Sequence, residues 1–325
     1  MAINLILLSF LAILGFSSRG EGQELRKVYV AIPAVSPASA TFVVAKEKGY
    51  YREEGLAVEL IVMPAAVATQ ALLGGNVEFA TVGGAGLPPI LRGAPLRFLF
   101  TTFNRPMYWL YARPDIRSLE DLKGKKVGVS SIGSGPDSLL RDLLKRHGLE
   151  GSRGVTVMAV GAGTARFYAL QSGSVDAAML SIPGNFMARE AGFRELVSFI
   201  EQDLVELQGS ILASEKLLES DPTLVERFIR GSVKGFDYFR GRRSGTVVIL
   251  ARFLKAKEGL AVQIYDLIRP GVTQDGAVSE AVQKKSLEHI LGRVGLKEPP
   301  PLEKIFDYSL VRKIRADLQA KGWMP

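Results

Sequence analysis

The sequence has no cysteine among its 325 residues. This excludes disulfides, thiolate metal sites, cysteine nucleophiles and the lipid-bearing cysteine of a lipoprotein. Only two histidines are present, His147 and His289, so zinc sites and Ser-His-Asp catalysis lack most of their usual parts. His147 precedes Gly148 at the predicted end of a helix, where a cation interacts favourably with the helix dipole. We therefore expect no catalytic residue, no metal and no cofactor.

Long hydrophobic runs are also scarce. Residues 5–14 form one, but this run is shorter than the roughly 20 residues that a membrane-spanning helix needs. It is typical of the apolar core of a secretory signal, although no Lys or Arg precedes it, and Gly15, Ser17 and Ser18 supply small residues near a cleavage point. We predict a signal peptide over residues 1–22, with an N-terminal anchor as the alternative. Without a cysteine to carry a lipid, the exported protein is expected to be soluble in the periplasm.

Positive charge exceeds negative charge, since 41 Lys and Arg against 33 Asp and Glu give a net charge of +8. Such an excess can indicate an anionic partner. The basic residues are nevertheless scattered, and the densest run, Arg240-Gly241-Arg242-Arg243, contains no aromatic residue and belongs to no nucleic-acid-binding motif. We therefore predict no nucleic-acid partner. The charge either steers an anionic small molecule or forms a solvated surface.

One segment occurs twice in the chain. Residues 72–80 and 170–178 share the pattern Leu-x-x-Gly-x-Val-acid-x-Ala. Each copy follows a short apolar stretch, a loop with Gly or Pro and a stretch of helical period, so each predicts the second half of a β-α-β unit. Two copies are too few for a solenoid. The repeat therefore predicts two similar α/β lobes with a ligand-binding cleft between them.

Loops of small residues follow the predicted strands. In lobe 1, the loop at 34–40 follows a strand that ends at Ile32, and residues 83–86 read Gly-Gly-Ala-Gly before a helix. Open α/β sheets bind ligands at the carboxyl ends of their strands, where free backbone amides can hold an anion. For residues 83–86, an anion-binding cradle and a simple tight turn both remain open.

Several segments resemble the solute-binding proteins of ABC importers for nitrate, sulfonates, taurine and related compounds. They are Lys-Gly-Tyr-Tyr-Arg-Glu-Glu-Gly-Leu at 48–56, Gly-Asn-Val-Glu-Phe-Ala at 75–80, Leu-Glu-Asp-Leu-Lys-Gly-Lys-Lys-Val-Gly-Val at 119–129, and the second repeat copy at 170–178. The resemblance implies an α/β, type II periplasmic-binding-protein fold: two lobes, each a mixed sheet flanked by helices, joined by two crossings and closing on a ligand by hinge motion. On this basis lobe 1 comprises residues 26–106 and 208–325, and lobe 2 comprises residues 107–207.

In that family the loops after the strands line the cleft, so the resemblance implies a set of ligand-binding residues. They are Ser36, Ala38, Ser39, Ala40, Gly84, Ala85, Gly86, Asn104, Arg105, Met107, Tyr108, Gly133, Ser134, Gly135, Asp137, Gly163, Thr164, Ser181, Pro183 and Asn185. Arg105 is either a bidentate grip on a carboxylate or sulfonate or a surface arginine at the hinge. Tyr108 and Trp109 either stack on an aromatic ligand or pack in the core.

The resemblance implies a monomeric periplasmic binding protein, not an enzyme, that delivers a small organic anion or heterocycle to an ABC permease in the inner membrane. The ligand, whether sulfonate, nitrate, taurine or pyrimidine-like, is not determined by the small, uncharged loops. One alternative is an enzyme similar to the synthases of the thiamine pyrimidine precursor, but these rely on a cysteine motif and a histidine, and no cysteine is present here. The other is a periplasmic ligand-sensing domain of a membrane sensor.

Overall fold

The computed structural model describes residues 24–150, 154–161 and 163–325. The predicted signal peptide, residues 1–22, lies outside the described residues. The strands within these ranges are β1 (Arg26–Ile32), β2 (Leu56–Val62), β3 (Phe79–Ala80), β4 (Leu96–Phe103), β5 (Trp109–Ala112), β6 (Lys126–Val129), β7 (Thr156–Ala159), β8 (Ala177–Leu180), β9 (Arg194–Ser198) and β10 (Gln208–Ser214).

The α-helices of the described ranges alternate with the strands and then form a C-terminal series. They are α1 (Ala40–Glu47), α2 (Tyr50–Glu53), α3 (Ala65–Leu73), α4 (Leu87–Leu91), α5 (Gly135–Arg146), α6 (Ala165–Gln171), α7 (Gly184–Glu190), α8 (Glu215–Ser220), α9 (Pro222–Gly241), α10 (Arg243–Leu254), α11 (Glu258–Ile268), α12 (Glu280–Leu291) and α13 (Ser309–Ala320). None of the helices in this part of the chain is long and apolar enough to cross a membrane.

The strands form two five-stranded sheets of the same topology. The strand order is β2-β1-β3-β10-β4 in lobe 1 and β7-β6-β8-β5-β9 in lobe 2. In each sheet the first three strands are parallel and the last two pair antiparallel. Residues 104–108 (the first crossing) and residues 199–207 (the second crossing) connect the two sheets. The prediction of two α/β lobes with mixed sheets and two crossings is confirmed.

The repeated segment has the same structural role in both lobes. Glu78 Oε2 accepts a hydrogen bond from the backbone N–H of Tyr29 at 2.7 Å, and Asp176 Oδ2 accepts one from the N–H of Lys126 at 2.9 Å. In both cases the acid of the repeat ties the residue before one parallel strand to the backbone of the neighbouring strand. This fixes the register of the two strands, on which the inward or outward direction of every side chain depends.

The glycine of the repeat is required by its backbone conformation. Gly75 has a φ of +70° and Gly173 a φ of +77°, and a Cβ at either position would meet nothing within 4 Å. We expect Gly173→Ala to lower the free energy of unfolding by about 1–2 kcal/mol. The alanine side chain would meet no neighbour, so the cost is the strain of holding a non-glycine residue in the left-handed conformation. Gly173→Asn should cost less, since Asn tolerates this conformation. Urea unfolding measures both, and equal losses in the two variants would contradict the explanation.

The long helix α9 completes the core of lobe 1. Its Phe228 stacks on Phe79 of β3, with ring centres 4.0 Å apart, and on Tyr51 of α2, with ring centres 5.2 Å apart. All three side chains are buried. Burial of aromatic rings of this size supplies much of the hydrophobic stabilisation of a domain. Helix α9, which follows the second crossing, therefore packs in lobe 1, against the sheet formed by the N-terminal strands.

Two elements of lobe 2 were not predicted from the sequence. Helix α7 has seven residues, too few for a helical period to stand out. Strand β9 lies at the edge of its sheet and carries exposed Arg194 and Glu195 at its start, so it shows no apolar alternation. Strand β3 is short, because only Phe79 and Ala80 pair with neighbouring strands.

Candidate functional site

The two sheets open onto one cleft at the carboxyl ends of their parallel strands. Loops after β1, β2 and β3 line this cleft from lobe 1, and loops after β6, β7 and β8 line it from lobe 2. The crossings supply Met107, Tyr108 and Glu206. The enclosed volume is about 360 Å³, which suits a small solute.

The structure brings ten of the predicted ligand-binding residues together in the cleft. They are Ser36, Ala38, Gly84, Ala85, Met107, Tyr108, Ser134, Gly135, Gly163 and Ser181. Gly133 lines a smaller cavity next to the cleft, called here the side chamber. Of the two neighbouring aromatic residues, Tyr108 lines the cleft, whereas Trp109 is buried within β5.

Three predicted residues of lobe 1 lie outside the lining. Ser39 and Ala40 are buried where α1 begins. Gly86 faces β10, and a Cβ there would lie 2.4 Å from Leu212 Cδ2. Successive residues of a helical turn point in different directions, so a loop-by-loop prediction includes residues that face the core.

The glycine-rich segment at 83–86 is a tight turn that packs against the second crossing. Gly84 N–H donates to the carbonyl oxygen of Leu207 at 2.7 Å. A Cβ at Gly83, whose φ is +55°, would lie 2.3 Å from the same oxygen. The turn alternative therefore describes this segment, because the amide of Gly84 is already used within the protein.

Asn104 and Arg105 join the two crossings and do not line the cleft. Asn104 N–H donates to the carbonyl oxygen of Gly271 at 3.1 Å, and its own carbonyl accepts the N–H of Glu206 at 3.3 Å. Arg105 is exposed, and its Nη1 lies 3.5 Å from the carbonyl oxygen of Ile200. The hinge alternative for Arg105 therefore describes the structure.

The remaining predicted residues of lobe 2 also lie beside the cleft. Asp137 is buried in the first turn of α5, where its carboxylate accepts the N–H of Gly133 at 2.8 Å and pairs with Arg141 at 2.8 Å. Asp137 therefore stabilises the loop before α5 and is not part of the cleft lining. The other three residues lie at the starts of α6 and α7 and outside the lining: Thr164, Pro183 and Asn185.

The most unusual cleft residue, Arg166, was missed by the sequence reasoning. It is the second residue of α6, lines the cleft and is only 2% exposed. Its Nη2 donates to the hydroxyl of Ser181 at 2.9 Å, while Nε and Nη1 have no hydrogen-bond partner among the described residues. Its guanidinium lies 6.0 Å from the ring centre of Tyr108. Burial lowers the pKa of Arg166, but an arginine remains protonated in proteins.

Burying a cation without a counter-charge is energetically unfavourable. Removing it from water costs several kcal/mol unless an anion and further hydrogen bonds compensate. Thr81, across the cleft in lobe 1, is also buried, and its Oγ1 has no hydrogen-bond partner within the described residues. Unpaired groups of this kind are concentrated at sites whose ligand supplies the missing partner. In the sequence, Arg166 is marked only by its place just after a Gly-x-Gly-Thr loop.

The second missed residue is Glu206, which lines both the cleft and the side chamber. Part of its surface faces the cleft, yet protein surrounds the carboxylate, and this desolvation raises the pKa of Glu206 to about 7. Gln208 Nε2 donates to Glu206 Oε2 at 3.2 Å and partly stabilises the ionised form. The second crossing contains no glycine-rich loop or repeat that could have indicated this role.

The side chamber lies behind Glu206 and encloses about 290 Å³. Arg293, which lines it, follows α12 and reaches α5 of lobe 2. Its Nη2 donates to the carbonyl oxygen of Ser138 at 2.9 Å and to Asp142 Oδ1 at 2.8 Å. This contact links the C-terminal part of the chain to lobe 2 beside the cleft.

Two sheets of one strand order, two crossings and one shared cleft define a two-lobed periplasmic-binding-protein fold of type II. A family model described as NMT1/THI5-like matches residues 36–242, which is more than half of the chain. The chain therefore belongs to the NMT1/THI5-like family, and the resemblance stated from the sequence motifs is confirmed.

Individual relatives agree with this assignment. A binding protein of Brucella abortus (strain 2308) is 27% identical over 253 residues, covering 73% of this chain and 76% of its own. The periplasmic nitrate-binding protein NrtA of Synechocystis PCC 6803 matches with a TM-score of 0.72 at 12% identity, covering 91% of this chain and 90% of NrtA. The alkanesulfonate-binding protein SsuA of Xanthomonas axonopodis pv. citri, solved with MOPS, matches with a TM-score of 0.67 at 21% identity, covering 90% and 98%.

An enzyme shares the same fold. The desulfurization enzyme DSZB matches with a TM-score of 0.66 at 16% identity, covering 90% of this chain and 99% of DSZB. At such identities a structural match shows the fold alone. The chemistry of the cleft must therefore be argued from its own residues.

Proposed function

We propose that this chain is the periplasmic solute-binding component of an ABC importer, which captures a small organic anion in the cleft and delivers it to a permease in the inner membrane. Membership of the NMT1/THI5-like family and the fold shared with nitrate- and sulfonate-binding proteins support this role. The observation that carries the proposal is Arg166, a buried cation that faces the cleft with Nε and Nη1 unpaired among the described residues.

A sulfonate or carboxylate is the ligand group that fits this cation. Its oxygens accept charge-assisted hydrogen bonds from the guanidinium, and these bonds are about twice as strong as those between neutral groups. Ser181, which already accepts a bond from Arg166, holds the guanidinium in place. The hydroxyl of Thr81 adds a neutral partner from the opposite lobe.

Closure of the lobes follows from these contacts. Within this proposal lobe 1 comprises residues 26–106 and 208–325, and lobe 2 comprises residues 107–207. A ligand that contacts Arg166 of lobe 2 and Thr81 of lobe 1 makes both contacts only when the lobes are closed. Since a ligand shifts an equilibrium toward the state to which it binds more tightly, it favours the closed form.

Calorimetric titration with ethanesulfonate, propionate and nitrate tests the proposal, with choline and glucose as controls. We expect a one-site isotherm for an anion and a smaller radius of gyration in solution scattering when that anion is bound. The same scattering curve gives the molecular mass, which we expect to be that of a monomer. Binding of choline or glucose in preference to every anion, or anion binding without compaction, would overturn the proposal.

The proposal assigns binding and no catalysis to the cleft. The titratable side chains that line it in the described part of the chain are Tyr108, Arg166 and Glu206. The absence of cysteine leaves no thiol nucleophile. We expect mass spectrometry to recover a bound anion unchanged after prolonged incubation, and a chemically altered product would contradict this part of the proposal.

A further inference from the structure

Two groups of opposite charge line the cleft without pairing with each other. Arg166 has free nitrogens within the described residues, and the side-chain hydrogen bond of Glu206 in this part of the chain comes from the neutral amide of Gln208. Tyr108 lines the same cleft, with its ring centre 6.0 Å from the guanidinium of Arg166. Burial raises the pKa of Tyr108, the charge of Glu206 raises this pKa further, and the charge of Arg166 lowers it. The cleft therefore holds a separated cation and anion rather than an ion pair.

Glu206 is held at a defined place between the lobes. A Cβ at Gly135, the first residue of α5, would lie 2.1 Å from Glu206 Oε1, so this carboxylate packs directly on the glycine backbone of lobe 2. On the other side, a Cβ at Gly84 would lie 3.8 Å from Glu206 Cγ. Glycine at position 135 makes room for the carboxylate, whereas a Cβ at Gly84 would make only ordinary contact with the Glu206 stem. The backbone N–H of Glu206 is anchored by its hydrogen bond to the carbonyl oxygen of Asn104.

Within the described residues no cation pairs with the Glu206 carboxylate, whose side-chain partner is the neutral amide of Gln208. The first turn of α5 favours negative charge, yet desolvation still raises the pKa of Glu206 to about 7. A ligand with only an anionic group would place a second negative charge in the same poorly hydrated cleft. A ligand with an ammonium group would instead supply the missing cation.

We propose that Glu206 determines the specificity of the cleft by accepting the ammonium group of a zwitterionic ligand whose anionic group binds Arg166. The inference rests on the proposed function for the Arg166 half of the site. In this arrangement Glu206 selects, among small organic anions, those that carry an amine at the end opposite the anionic group.

The proposal fixes the sign of the pH dependence. The other charged or titratable groups near Glu206 are Tyr108 and Arg166 in the cleft and Arg92 and Arg293 in the side chamber, while Asp137 on α5 is engaged with Arg141. Tyr108 has a raised pKa and stays neutral near pH 7, and the arginines stay charged. Glu206 is therefore the group in this set that titrates near neutrality.

An ammonium ligand favours the carboxylate form of Glu206. Its affinity should therefore rise as the pH increases toward 7, by up to about tenfold per unit, and level off above it. A proton is then released on binding at pH 7. An amine-free anion favours the protonated form, so its affinity should rise as the pH falls and its binding should take up a proton.

Matched pairs of probes test the inference by calorimetry at pH 6, 7 and 8: β-alanine against propionate, and 3-aminopropanesulfonate against propanesulfonate. We expect the amine-bearing member to bind at least about tenfold more tightly, the difference that 1.4 kcal/mol produces. Titrations in phosphate and Tris, which differ in ionisation enthalpy, report the proton release. Glycine and 4-aminobutanoate measure the preferred separation of the two charges.

Glu206→Gln keeps the shape of the side chain and should remove both the preference and the pH dependence, with its unfolding transition monitored to verify folding. Equal affinity within each pair, or a preference that Glu206→Gln retains, would overturn this inference and leave the anion-binding proposal intact. Failure of every member of both pairs to bind would overturn both proposals.

Discussion

Replacing Arg166 with methionine is expected to abolish anion binding and to make the protein more stable. Methionine fills the same narrow space without charge. Loss of one partner from a buried, hydrogen-bonded charge pair costs about 2–5 kcal/mol, so affinity should fall about 30-fold or more. Calorimetry with the tightest anion of the panel measures the loss.

The gain in stability has the same origin as the loss of binding. In the absence of ligand, the Nε and Nη1 atoms of Arg166 lie buried without partners in the described structure. Replacing a buried ion pair by well-packed apolar residues of similar volume is neutral or stabilises a protein by about 1–4 kcal/mol, and a buried cation without a counter-charge lacks even the compensation that a pair has. We therefore expect the ligand-free Arg166→Met variant to melt a few degrees higher than the original protein.

Arg105→Met is the matched control, because the sequence left Arg105 open as either a ligand-binding arginine or a surface arginine at the hinge. It is exposed, and its Nη1 lies a long 3.5 Å from the carbonyl oxygen of Ile200. We expect nearly unchanged affinity and stability. If Arg105→Met loses binding while Arg166→Met keeps it, the assignment of the two arginines is reversed. A fall in the stability of Arg166→Met would show that this cation supports the fold.

Gly235→Ala is expected to destabilise lobe 1 severely. Helix α9 crosses α1 at this glycine, where a Cβ would lie 2.5 Å from Ala45 Cβ and 2.6 Å from the carbonyl oxygen of Thr41. Backbone on one side and a buried methyl on the other leave no flexible group that can move away. Forcing the helices apart should lower the free energy of unfolding by about 3 kcal/mol, the upper end for an overpacked core.

Gly259→Ala is the control for this substitution. Gly259 also lies in a helix, α11, but a Cβ there would meet nothing within 4 Å. Alanine is the better helix former, so we expect a gain of up to about 1 kcal/mol. Urea unfolding of the two variants should therefore show opposite signs. Similar values for both would contradict the close approach of α1 and α9.

The Gly235→Ala substitution in the core should also affect ligand binding in the cleft. Helix α1 begins directly after the loop that contributes Ser36 and Ala38 to the cleft lining. A displaced α1 moves this loop with it. We therefore expect weaker anion binding in Gly235→Ala even under conditions where the variant is folded, whereas Gly259→Ala should bind normally.

The sequence alone was sufficient for the class of fold. The pattern shared by residues 72–80 and 170–178 depends on local requirements: a buried leucine, a glycine with positive φ and an acid that caps the neighbouring strand. Such requirements act over a few residues and leave a trace in the sequence. They predicted two α/β lobes, while the family resemblance implied the twenty ligand-binding residues, of which ten line the cleft.

The charges of the cleft were decided by tertiary structure. Arg166 and Glu206 lie 40 residues apart in the chain, on a helix and on the second crossing, and neither has a local pattern that distinguishes it from a solvated side chain. Burial made them distinctive, because only the packing of segments that are distant in the sequence removes water from both side chains. A short motif can specify a local backbone conformation such as a turn. Whether a buried charge has a counter-charge depends instead on all the residues that surround it in the tertiary structure.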